Sequence, residues 1–285
     1  MKLKLFFLLL FSLSAFFGVS AQNLHKVFEF AGELENSGQY EKAVLTYERV
    51  IFFDKKGLFR ERVYSHIATC YFAAKDYDKA IEYYDLSYFS ERNDSIRKEL
   101  IFKKTAILIL SEKFQPAIAE LYNLPDSMSH SQDQRKNFYL GLASYGLNQF
   151  KDAEAYFIAC MDRSGLEKET LLTLFKKVNK AGRINPRLSK FASMILPGSG
   201  QIYSGDLKNG LNSIFLLSAI SLLALNTGVA YGFIDAAITV MPWFQRYYMG
   251  GYIRAEQIAV VRKNQKLEQL RSEILKIVAS TKSQD

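Results

Sequence analysis

Charged and aromatic residues alternate through the first two thirds of this chain, and then Asn209 to Ile234 carries no charge at all. Within the alternating region a single phrase recurs: Gly38-Gln39-Tyr40-Glu41-Lys42-Ala43, Lys75-Asp76-Tyr77-Asp78-Lys79-Ala80, Glu112-Lys113-Phe114-Gln115-Pro116-Ala117 and Asn148-Gln149-Phe150-Lys151-Asp152-Ala153. The aromatics fall at 40, 77, 114 and 150. Four residues after each alanine stands Tyr47, Tyr84, Leu121 or Phe157, and nine before each turn aromatic stands Ala31, Ala68, Thr105 or Gly141. A fixed period of this size is the mark of stacked supersecondary units. Small residues at the two fixed positions let paired helices approach closely, and the large ones fill the wedge between neighbours. Leu171, Leu174, Phe175 and Val178 form one stripe on a predicted closing helix over Leu166–Lys180, with charged residues on its other face. The tail, Arg254 to Ser280, places Leu267, Leu270, Ile274 and Ile277 at helical spacing.

The spaced residues resemble the tetratricopeptide-repeat (TPR) family, whose unit is about 34 residues folded as two antiparallel helices. The resemblance covers about residues 24–163 as four units. The third departs from the pattern: Thr105 replaces the small residue, Lys104 stands where an apolar one belongs, and Pro116 falls in the first turn of its second helix, where a missing N–H costs little. Longer connecting turns are predicted around Asp54–Gly57 and Arg92–Ser95. The resemblance implies a protein or peptide partner held in a groove lined by the first helices, with Arg62, Ser65, Thr69, Arg135, Phe138 and Tyr145 as groove residues.

Beyond a polar break at Gly182–Pro186, the charge-free stretch Gly210–Ile234 is long enough to cross a bilayer with tilt. Asn226-Thr227-Gly228 is positioned to break it near its end. Ala236–Ile253 forms a second apolar stretch, interrupted by Pro242 and Arg246, with Trp243, Tyr247, Tyr248 and Tyr252 suited to the headgroup level. Gly250 and Gly251 are placed to allow close helix approach. Between the polar break and these stretches lies Pro197-Gly198-Ser199-Gly200-Gln201-Ile202-Tyr203-Ser204-Gly205. It resembles a Pro-Gly-x-Gly-Gln-x-Tyr-x-Gly motif of small bacterial membrane domains, the TM2-like hairpins among them, with Pro197, Gly198, Gly200, Gln201, Tyr203 and Gly205 matching. The motif reads as a turn: proline stops one helix, the glycines permit positive φ, and Gln201 and Tyr203 hold the bend at the interface.

Lys2 and Lys4, the apolar run Leu5–Phe17 and Val19-Ser20-Ala21 have the layout of a secretory signal cleaved after Ala21. The expected organisation is therefore a signal peptide at 1–21, a TPR-like solenoid with its closing helix at 22–182, a membrane domain of about two transmembrane helices at 183–253 and an amphipathic tail at 254–285. The fold class is all-α: a helical-hairpin solenoid, a transmembrane hairpin and a C-terminal helix.

The net charge of +8 concentrates on both flanks of the apolar region. Such flanks favour anionic lipid headgroups, and no nucleic-acid recognition motif accompanies them. Cys70 and Cys160 lie far apart and read as buried packing residues. His25, His66 and His130 form no metal spacing, and no nucleophile elbow, phosphate loop or CxxC pair occurs. These patterns predict no enzyme, metal or cofactor. They predict an inner-membrane protein of Gram-negative style with its repeats in the periplasm, binding a protein or peptide and membrane lipid, its tail placed to pack on the closing helix, pair with a second copy or lie on the membrane. The alternative function is a membrane accessory subunit of a transport or translocation complex, with the repeats as docking arm. The basic flanks conflict with this orientation under the positive-inside rule, although long domains translocate largely regardless of charge.

Overall fold

The computed structural model describes residues 23–125, 128–161 and 165–282, without the side chains of 280–282. The expected signal segment, Asp126, Ser127, Asp162, Arg163 and Ser164 lie outside the described residues. Among the described residues every regular element is a helix. The chain forms two compact units that divide between Leu147 and Asn148, so the fourth recurring phrase begins the second unit.

The first unit contains α1 (Leu24–Asn36), α2 (Tyr40–Phe53), α3 (Arg60–Ala73), α4 (Tyr77–Ser90), α5 (Asp94–Leu110), α6 (Phe114–Tyr122) and α7 (His130–Gly146). Consecutive helices pack as hairpins, and the first helices also meet, α1 on α3 and α5 on α7. The recurring phrase is a helix-stop followed at once by a helix-start. Gly38, Lys75 and Glu112 take φ of 76°, 63° and 58°. Behind them Gln39, Asp76 and Lys113 donate backbone N–H bonds to Leu34, Tyr71 and Leu108, five residues back. This is the Schellman closure, which satisfies carbonyls that the ending helix leaves open. Asp76 then caps α4 by accepting from the Lys79 N–H at 3.2 Å. The longer turns carry their own polar pins. The buried Asp54 carboxylate accepts from the Leu58 and Phe59 N–H groups at 3.0 and 2.7 Å, and Asn93 caps α5 through Ser95. Ser129 and Gln132 form a reciprocal capping box at the start of α7.

The period-spaced residues form the core. Ala31, Ala43, Tyr47, Ala68, Ala80, Ala117 and Leu121 are fully buried, and Tyr84 nearly so. Burying a large side chain contributes about 1.5–3 kcal/mol, and the facing alanines leave room for it. The divergent third unit keeps this geometry. Thr105 is fully buried at the small-residue position, and its hydroxyl has no hydrogen-bond partner among the described residues. Lys104 places its ammonium 2.5 Å from Asp85 of α4 and 2.9 Å from Glu120 of α6. Burial alone would lower its pKa, but the two carboxylates outweigh that and raise it. An ion triad thus stands where an apolar contact was expected.

The second unit contains α8 (Phe150–Ala159), α9 (Leu166–Gly182), α10 (Pro186–Ile195), α11 (Ser199–Tyr203), α12 (Leu207–Tyr231) and α13 (Phe233–Lys282). Leu171, Leu174, Phe175 and Val178 of α9 are buried, and α9 packs on α8 and α13. Phe157 and Phe175 approach at 6.2 Å. A methyl group on Gly182 would come within 2.6 Å of the Phe150 ring, as one on Gly146 would come within 2.4 Å of the Phe114 ring. The turn aromatic and the glycine 32 residues later repeat in both units, so α9 stands to α8 as a first helix of one further repeat.

Helices α12 and α13 form an antiparallel hairpin closed at Gly232, with φ of 107°. Asn226-Thr227-Gly228 does not break α12, which runs on to Tyr231. The predicted tail is continuous with the second arm of this hairpin, 50 residues in one helix through Pro242. Ala255, Ala259, Leu267, Ile274 and Val278 make its buried stripe, against α9 and α10. The packing of the tail on α9 accounts for the apolar spacing read from the sequence.

Candidate functional site

The face formed by the first helices of the first unit is built on aromatic rings that hold cations. Phe28 and Phe59 approach at 5.7 Å, and the exposed Arg62 guanidinium lies 5.5 and 5.3 Å from their centroids. On α5, exposed Lys103 stands 6.0 Å from the Tyr84 ring. On α7, Arg135 lies 4.4 Å from Phe102 and 5.8 Å from Tyr139 and donates to Glu99 at 2.7 Å. Stacking on a ring face holds a guanidinium without removing its remaining donors from solvent, and is worth about 0.5–1 kcal/mol at an exposed site.

The sequence-predicted groove residues separate into two kinds. Arg62 and Arg135 present charge on this face. Ser65 shares the α3 face with Arg62, its carbonyl accepting from the Thr69 hydroxyl at 2.9 Å. Thr69 also meets the Tyr84 hydroxyl at 3.2 Å and is tied into the wall. Phe138 is half-buried and meets the Tyr139 ring at a tilt, 5.7 Å between centroids. Tyr145 is buried.

Sequence reasoning missed the polar centre of the first repeat. One carboxylate oxygen of Glu35 accepts from the Tyr47 hydroxyl and meets His66 Nδ1, both at 2.8 Å. The Tyr47 and His66 rings stack at 5.3 Å. Burial would raise the Glu35 pKa, but the hydrogen bonds from His66 and Tyr47 outweigh it and hold the carboxyl below its ordinary range. Burial, with the Glu35 charge nearby, pushes the Cys70 thiol up to about 12, which leaves it protonated and inert. The available signal was Tyr47 itself: a wedge position filled by Tyr rather than Phe buries a hydroxyl that must find a partner.

The glycine-rich motif is more than a turn. Gly198 and Gly205 do take positive φ, 90° and 84°, and Asp206 donates its N–H to Gln201 in the closure seen at the repeat turns. Gly200, however, is helical and packs backbone on backbone. A methyl group there would lie 1.8 Å from the Ser189 carbonyl oxygen. Gln201 lies inside the fold rather than at its surface. It is buried, accepting from Ser193 Oγ at 2.8 Å and donating to the Gly251 carbonyl at 3.0 Å. Ser189 Oγ lies within 3.0 Å of the Gly200 and Ala255 carbonyls. The motif is a clasp joining α10, α11 and α13. Pro197 precedes it as helix-stop, and Tyr203 on its outer side bonds the α9–α10 connection, donating to Arg183 and accepting from the Asn185 N–H. Of the two later glycines, Gly251 faces Ser213 of α12 closely, while Gly250 faces open space.

Residues 61–88, which span α3 and most of α4, match the family model described as the tetratricopeptide repeat. No curated protein matches the chain. The match falls on the second hairpin and agrees with the recurring helix pairs around it.

Proposed function

We propose that this protein is a membrane-anchored scaffold whose TPR-like face binds a protein or peptide segment bearing carboxylates. TPR repeats are associated with protein–protein interaction, and the observation that carries the choice of ligand is the row Arg62, Lys103 and Arg135, each held on aromatic rings along successive first helices. Pre-stacked cations bind an anion with little further loss of side-chain freedom. A photo-crosslinking residue at Ser65, installed in the full chain in its native cells, should give discrete protein adducts that Arg62→Glu and Arg135→Glu abolish. Adducts that persist unchanged in both variants would remove this face from the interaction.

Anchoring rests on the second unit. Among the described residues α12 alone is long and apolar enough to cross a membrane, by length and composition. Phe215, Leu222, Leu225, Val229, Phe233 and Ile234 are all more than half exposed along α12 and its turn into α13, apolar exposure of the kind that marks a membrane or partner contact. We place the repeats in the periplasm, following the signal-like residues 1–21. Labelling of cysteines introduced near residues 130 and 280 with a membrane-impermeant reagent tests that orientation. Resistance of the chain to alkaline extraction, with release by detergent, tests the anchor.

A cleft of about 710 Å³ between α12 and α13, lined by Leu216, Ile220, Thr227, Thr239 and Trp243, favours a second reading. In it the hairpin receives another membrane helix as part of a transport or translocation complex. Ile220→Trp would fill the cleft. Unimpaired function of that variant in cells would leave the hairpin as an anchor only.

A further inference from the structure

The second unit contains a pocket of about 560 Å³ between the end of α9, the connection that follows it, the end of α11 and α13. Lys177, Lys180 and Arg183 enter it from the α9 side and Lys266 from α13. All four are exposed. None of them makes an ion pair with any described residue, although some other cations of the same unit do: Lys190 with Glu256 at 2.9 Å, Arg262 with Asp206 at 3.6 Å, Arg271 with Glu268 at 2.7 Å. Glu273 supplies the one carboxylate in the lining.

Lysines near the end of α9 are favoured by the helix dipole, which accounts for Lys177 and Lys180 without a ligand. It does not account for Lys266, which comes from a different helix and sits close to Gly205, 3.7 Å from where a methyl group there would lie. Four like charges converging on one concave surface repel one another, and an anion relieves that. The floor is apolar, formed by Ala181, Ile184 and Leu270, and Tyr203 stands at the side. Charge over an apolar floor suits an amphiphile better than a free ion.

Location identifies the source. Tyr203 and Gly205 lie within four residues of Leu207, the first residue of the apolar helix. If that helix crosses the bilayer, the pocket stands at headgroup depth beside its start. We infer that the pocket binds the phosphate of an anionic lipid headgroup, with the glycerol and first acyl carbons over Ala181, Ile184 and Leu270. The depth argument rests on the membrane-anchor reading above; the convergence of cations does not.

The test uses the full-length protein in neutral detergent, with native mass spectrometry and fluorescence titration. The probes are dioctanoyl-phosphatidylglycerol, dioctanoyl-phosphatidylcholine and inorganic phosphate. Short-chain lipids bind from solution, so the result is independent of whether α12 spans a bilayer, which the extraction assay decides separately. Saturable binding of one phosphatidylglycerol is expected, weakened about tenfold or more in Lys180→Glu/Lys266→Glu, since each lysine near an anionic surface contributes enough for a several-fold change. Lys208→Glu, at the same end of α12 but outside the pocket, should bind as the native chain does, and unchanged helical circular dichroism establishes that the double variant folds. Equal affinity for phosphatidylcholine, or full affinity in the double variant, would overturn the site. Displacement of the lipid by inorganic phosphate at equal concentration would overturn the lipid assignment in favour of a free-phosphate pocket.

Discussion

The repeat hairpins of the first unit and the clasp of the second bring helices together by different means. In the hairpins side chains meet side chains: an alanine on one helix makes room for a tyrosine or leucine of another, as Ala31 of α1 and Tyr47 of α2 do. Such contacts adapt. The third repeat accepts Thr105 and Lys104 at positions meant for small and apolar residues, the first with its hydroxyl unpartnered and the second through two carboxylates. In the clasp, backbone meets backbone and buried serines join the carbonyls. Gly200 lies against the Ser189 peptide and Gly198 against the Gly210 carbonyl, 2.3 Å from where a methyl group would stand. Close packing of main chains leaves nothing that can rotate out of the way. A repeat architecture tolerates drift at single positions because each contact is one of several copies; among the described residues the clasp has no second copy.

That contrast predicts the largest effect at Gly200. Gly200→Ala should prevent α10 and α11 from packing, at a cost of about 4 kcal/mol or more, beyond the usual range for overpacking because backbone cannot relax. Gly250→Ala, facing open space, should be neutral or slightly stabilising, as alanine is in a helix interior. Retention of helical signal on heating the detergent-solubilised chain measures both. Equal behaviour of the two variants would end the distinction drawn for the clasp.

Within the repeats the expected effects are smaller. Lys104→Met leaves Asp85 and Glu120 facing one another across a mostly buried site and should cost about 2–3 kcal/mol; the partial exposure of both carboxylates keeps it below the cost of a fully buried pair. Gly146→Ala presses a methyl group on the Phe114 ring, which can shift, so about 2 kcal/mol is expected. If Gly146→Ala cost as much as Gly200→Ala, side-chain packing would be no more adaptable than backbone packing. Glu35→Gln keeps a carbonyl oxygen for Tyr47 and loses the charge, at about 1 kcal/mol. Because Glu35 titrates lower in the folded chain than its ordinary value of 4.5, its ionised form stabilises the fold above that value, and the contribution is lost as pH falls through the lower, folded one. The native chain should therefore lose more stability on acidification below pH 4.5 than Glu35→Gln does.

The repeats were legible because their physics recurs: four copies of a stop–start phrase, with small and large residues at fixed offsets, set the hairpins and most of their core. The third repeat was legible as a departure, but not the ion triad that replaces the apolar contact, since Asp85, Lys104 and Glu120 lie in three helices and no local spacing joins them. The binding face was partly legible. Arg62 and Arg135 could be placed on first helices, whereas their aromatic supports, Phe28, Phe59 and Phe102, belong to different segments. In the motif the turns at Gly198 and Gly205 follow from local chain geometry, but Gln201 takes its role from Gly251, 50 residues away. The same holds for the pocket: its cations are visible as two basic flanks, and only the fold brings Lys266 to Lys180.

One device is shared by both regions, and it gives the finest test. The turns at Gly38, Lys75, Glu112 and Gly205 all place one residue at positive φ and close with a backbone bond from the next residue to a carbonyl five positions back. Glycine adopts this conformation freely; other residues meet a clash between Cβ and the carbonyl, worth about 1 kcal/mol. Lys75→Gly should therefore raise stability by about 0.5–1 kcal/mol, despite the added freedom of the unfolded chain. Gly38→Ala and Gly205→Ala should lower it by about 1 kcal/mol. The Gly205 variant matters most, because its turn lies beside the clasp rather than between repeats. A loss there equal to that at Gly38 would mean that the two regions share turn chemistry and differ only in how their helices meet. A loss several times greater would mean that the clasp extends to the turn and that its intolerance begins at Gly205.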